Sequence, residues 1–110
     1  MYTSQAEPRG ESIPLACVPE AIPEGERAGH FALIARLFRE RLQQKAAVSG
    51  GYEYAFDGED FVDIARFVEN ERRCCPFLTF SIEVTSEKGL LLRLVGPPGT
   101  REFLDLELPG

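Results

Sequence analysis

Two adjacent cysteines, Cys74 and Cys75, lie in the stretch NERRCCPFLTF (Asn70–Phe80), behind Arg72 and Arg73 and ahead of Pro76. Thiolates are soft ligands that select copper(I), zinc or heavier thiophilic ions, and a bound metal deprotonates its own thiols. Vicinal cysteines on a turning backbone can aim two sulfurs at one such ion. The third cysteine of the chain, Cys17, faces inward from an expected N-terminal strand and would supply a third sulfur. Adding His30, the single histidine, completes a Cys3His set, a common structural zinc arrangement. Without His30, three sulfurs suit a thiophilic ion such as arsenite or mercury(II).

Other chemistry competes for the same residues. At a helix C-terminus the dipole raises thiol pKa values, whereas Arg72 and Arg73 act the other way. Activated redox thiols usually sit at helix N-termini, commonly in Cys-X-X-Cys, and neither feature is present. Neighbouring cysteines close a disulfide only through a strained small ring, so free thiols are the expectation. Free cysteine is also among the most buried residue types, and all three could simply fill core space. In that case the chain is a non-catalytic module binding a small molecule or partner through Tyr52, Tyr54, Phe56, Phe77 and Phe80. A third reading makes one thiol a nucleophile assisted by Glu71 or His30. Taken alone, His30 reads as a core-edge histidine. Helical spacing carries Glu71 toward the core, where an ion pair with Arg72 or Arg93 is the expected outcome.

The elements that must position these groups follow from periodicity. ESIPLACV alternates, placing Ile13, Leu15 and Cys17 on one face of an edge strand. A helix starts at Pro23, with a buried stripe of Phe31, Ile34, Ala35, Phe38 and Leu42. KAAVSGGYEYAF predicts a hairpin turning at Gly50-Gly51. Asp57 caps a second helix with a stripe of Phe61, Ile64, Ala65 and Val68, which ends near Cys74 because Pro76 disfavours helix at Cys75. FLTFSIEV and LLLRLVG form a second hairpin, and GTREFLDLEL a closing helix. The order β-α-β-β-α-β-β-α predicts an α+β domain, an antiparallel or mixed sheet with helices packed on it. Residues 1–11 are expected to be a disordered polar tail and 12–110 a single domain.

Composition narrows the classes. With 12 basic and 18 acidic residues the net charge is −6, which disfavours nucleic-acid binding. No apolar run approaches the roughly 20 residues of a membrane span, and the start carries no signal-peptide core. An odd number of cysteines with no leader places the chain in the cytoplasm. A metal ion and a second copy of the chain, as a homo-oligomer, are the partners left open. GPPGT (Gly96–Thr100) imitates a phosphate loop, but Arg101, Glu102 and Phe103 follow where Gly-Lys-Ser/Thr would have to complete it.

ENERRCCPFLTFSIEV followed by LLLRLVGPPGTREFL resembles small bacterial proteins of uncharacterised activity built around Glu-Arg-x-Cys-Cys-Pro-Phe. The likeness runs from about Ile13 to Leu108 and includes Ala16-Cys17 before the first helix. It implies Glu71, Arg72, Cys74, Cys75, Pro76 and Phe77 as the motif and Cys17 as its companion. Some of these proteins are associated with metal-resistance gene neighbourhoods, which implies a soft metal or metalloid as ligand.

Overall fold

Apolar alternation in the middle and last third of the chain builds one sheet, and the computed structural model describes it within residues 15–110. The expected tail, and Ile13 and Pro14 of the expected first strand, lie outside these residues. Strands β1 (Gln44–Val48), β2 (Gly51–Asp57), β3 (Thr79–Val84) and β4 (Gly89–Val95) are ordered β1-β2-β4-β3. Every pairing is antiparallel. Helices α1 (Glu24–Ala35), α2 (Phe61–Cys74) and α3 (Thr100–Glu107) complete an α+β fold. Among the described residues no helix is long and apolar enough to cross a membrane.

Tyr54 and Phe56 on β2 and Leu90, Leu92 and Leu94 on β4 face one side and are buried. Phe38 seals the layer from the helical side. Its ring meets those of Tyr54 and Phe56 edge-on, at 5.1 and 5.5 Å, and lies 5.2 Å from Phe67. Edge-to-face packing adds to the hydrophobic gain of burying such rings.

Three local expectations shift by about a residue. The first hairpin turns at Ser49-Gly50, where Gly50 takes φ +83°, while Gly51 already pairs with Val48. On α1 the buried face is His30, Ile34 and, in the π-helical continuation Arg36–Arg41, Leu37 and Phe38. Phe31 is left 43% exposed. On α2 the buried face is Ile64, Phe67, Glu71 and Cys74, and Phe61 is 45% exposed. Both helices are turned so that His30 and Glu71 meet face to face in the core, and Phe31 and Phe61 lie on the faces left outward.

The expected first strand is not formed at Leu15–Val18. The Val18 amide donates to the Cys74 carbonyl at 2.8 Å, capping the end of α2 where a ladder bond was expected. A single tight turn, Pro19–Ala21, then leads to α1.

Candidate functional site

The C-terminal end of α2 gathers the chemistry. Cys74 is its last residue, and Cys75 leaves the helix with φ −123° while its amide still donates to the Glu71 carbonyl at 2.7 Å. A turn closed by the Leu78 amide on the Cys75 carbonyl (3.2 Å) carries the chain into β3. Pro76 lies exposed on that turn. Phe77 is buried edge-on against Phe103 of α3, with ring centres 4.8 Å apart, and pins the turn to the third helix.

The segment before α1, anchored by the bond from Val18 to Cys74, lays Cys17 beside this helix end. The thiols expected to be free are not all free: Cys17 and Cys74 form a disulfide, and Cys75 is the free cysteine. Ring strain opposes a bond only within the vicinal pair, whereas Cys17 reaches Cys74 from 57 residues away. The Cys17, Cys74 and Cys75 sulfurs and a Glu107 carboxylate oxygen all lie within 4.8 Å of one another. Cys74 and Cys75 are fully buried, whereas Cys17 and Glu107 are partly exposed, so the group opens to solvent on their side.

His30 does not join this group. Its Nε2 stands 2.9 Å from Glu71 Oε1, both side chains 0% exposed, and its ring stacks on Phe67. With Glu71 as a carboxylate, which only accepts, the contact assigns the hydrogen to Nε2. The Cys75 thiol donates to the other oxygen, Glu71 Oε2, at 3.3 Å. Glu71 thus sits in the core as expected but with different partners. Arg93 pairs with Glu53, and Arg72 and Arg73 both turn outward to Glu69. An arginine directed into the helix end would strip its own hydration; histidine satisfies the carboxylate with a smaller, more apolar ring.

Burial pushes the Cys75 thiol far above its ordinary value, reinforced by the negative charge of Glu71 and by the hydrogen bond to it. Held as a neutral thiol, Cys75 is a poor nucleophile and needs a metal, or another strong driving force, to ionise. A stability profile follows. Above about pH 8.5 the unfolded chain loses a proton that the folded chain keeps. The contribution of Cys75 is therefore complete below that pH and falls by up to about 1.4 kcal/mol per pH unit above it. Urea titrations of the disulfide-bonded protein should lose about 1 kcal/mol between about pH 8.5 and 9.5, and Cys75→Ala should abolish this loss.

One residue of the centre, Glu107, escaped sequence reasoning. Burial and the negative charge of Glu71 raise the Glu107 carboxyl, opposed by His30. Its signal was available: Glu107 follows Leu104 by three residues and precedes Leu108, both buried, on the same face of α3. Tyr54, expected in the aromatic set, also brings a buried hydroxyl without a partner among the described residues. Burial chiefly, with smaller contributions that include the charge of Glu71, raises its phenol.

Fold and site together define an α+β domain carrying a half-buried centre of three sulfurs and two carboxylates. Comparison of the chain with protein-family models, with curated proteins and with solved structures gives no match in any of the three.

Proposed function

We propose that this chain is a cytoplasmic binding protein for a soft metal or metalloid, held through Cys17, Cys74 and Cys75 in the reduced state. The observation that carries this reading is the approach of all three sulfurs to within 4.8 Å of one another from two distant parts of the sequence. Sulfurs each about 2.3 Å from a tetrahedral ion stand roughly 3.8 Å apart. Reduction of the disulfide frees the Cys17 and Cys74 side chains to rotate toward that spacing. Cytoplasmic reductants keep such thiols open. Zinc, mercury(II) and arsenite all fit a thiolate set of this kind. The resemblance of Glu71–Phe77 to small bacterial proteins, some of them associated with metal-resistance gene neighbourhoods, supports the same reading.

The roles divide by position. The three cysteines bind, Glu71 orients the Cys75 thiol by accepting its hydrogen bond until the ion displaces that proton, and His30 fixes Glu71. Phe77 and the exposed Pro76 set the exit turn that separates the two vicinal sulfurs. Reduced protein titrated anaerobically with mercury(II), zinc or arsenite should bind one equivalent and develop sulfur-to-metal absorbance where the ion permits it. Cys74→Ser should lose the site. Absorbance that survives serine at all three cysteines would rule the reading out.

A further inference from the structure

Glu107 comes from the last turn of the last helix, yet its carboxylate oxygen shares the 4.8 Å group with the three sulfurs. It is partly exposed and lies in the same opening as Cys17. Ion pairing does not account for its place, since none of the seven salt bridges among the described residues includes it. Leu104 and Leu108, buried on either side, hold this turn of α3 against the core. The carboxylate is therefore delivered by packed backbone rather than by a free surface side chain.

We propose that Glu107 is the fourth ligand of the thiol centre and makes it selective for divalent, tetrahedral ions of the zinc class. This rests on the thiol-binding reading above. Zinc takes four ligands in closed sites and accepts carboxylate oxygen at about 2.0–2.2 Å beside sulfur at about 2.3 Å. Three thiolates and one carboxylate carry the same formal charge as the familiar four-cysteine zinc set. Arsenic(III) differs: three sulfurs complete its bonding, and its lone pair then occupies the fourth direction. A carboxylate there adds nothing to arsenite affinity. Glu107 consequently divides the two ligand classes that the sulfurs alone accept.

The test compares wild type with Glu107→Gln, both fully reduced and anaerobic, using zinc(II), cobalt(II) and arsenite as probes. Wild type should give the intense visible bands of tetrahedral cobalt(II) together with sulfur-to-cobalt absorbance. The variant should bind zinc at least about tenfold more weakly, the lower end of what losing even an outer-shell partner costs. Its arsenite affinity should be unchanged, which also shows that the variant is folded and its sulfurs are in place. Equal zinc affinity in the two proteins, or a parallel loss of zinc and arsenite, would overturn the role of Glu107. Failure of wild type to take up any of the three probes would instead overturn the thiol-binding reading itself.

Discussion

Reduction of the Cys17–Cys74 disulfide should lower the stability of the metal-free protein by about 4 kcal/mol. The bond joins residues 57 apart in sequence, so in the unfolded chain it closes a long loop. Opening it restores the entropy of that loop, and the logarithmic dependence on loop length gives the figure just quoted. A domain of this size has only about 5–15 kcal/mol in total, so the reduced form without metal becomes marginal. Urea unfolding with and without reductant measures the difference, and Cys17→Ser should match the reduced wild type. The m-value should rise on reduction, because an uncrosslinked chain exposes more surface when it unfolds. Metal then takes over as the cross-link: a ligand at about a thousand times its Kd returns about 4 kcal/mol. On this account oxidation and metal loading are alternative staples of the same two chain segments. A reductant effect below about 1 kcal/mol, far short of the loop-entropy value, would mean that the Cys17 segment is held independently of the bond.

His30→Leu should cost about 3–5 kcal/mol, as removal of one member of a buried pair does. His30 and Glu71 are fully enclosed, and the leucine would leave Glu71 Oε1 with neither protein nor water as partner. The cost lies in the abandoned carboxylate more than in the lost bond. His30→Leu combined with Glu71→Leu should therefore recover much of the stability, although the Cys75 thiol then loses its acceptor. A double-mutant cycle read by urea unfolding should give a coupling in the upper part of the usual 0.5–3 kcal/mol range for residues in contact. The same cycle separates fold from function. His30→Leu should loosen metal binding only through Glu71 and Cys75, whereas a directly ligating histidine would lose the ion outright.

The sheet was readable in the sequence because its signals are local. Alternation at Tyr52–Phe56 and Leu90–Leu94 and a glycine-containing turn sufficed to place β2 and β4 and their buried face. The end of α2 was equally local, fixed by Pro76 acting on Cys75. Helix rotation was not readable. Phe31 and Phe61 looked like core residues by spacing, but a buried His30–Glu71 contact, 41 positions apart, decided which faces turned inward. Periodicity weighs apolar residues and cannot anticipate that two polar ones will satisfy each other.

The site divided the same way. The motif identified Cys74, Cys75 and Glu71, and the inward expectation for Cys17 placed it near them even though its strand did not form. Its position came from one backbone bond, Val18 to Cys74, which no propensity encodes. His30 was drawn toward the sulfurs by the usual ligand sets of zinc, but the fold spends it on Glu71. Nothing in its residue type distinguished Glu107 from the other acidic residues, eighteen in all.

Three sulfurs surrounding one ion leave a direct signature. X-ray absorption at the zinc edge of the reduced, one-equivalent zinc complex counts them directly. Three sulfur neighbours at about 2.3 Å with one lighter atom at about 2.0–2.2 Å is the expected result. A shell with one sulfur or none, filled by nitrogen and oxygen, would contradict it.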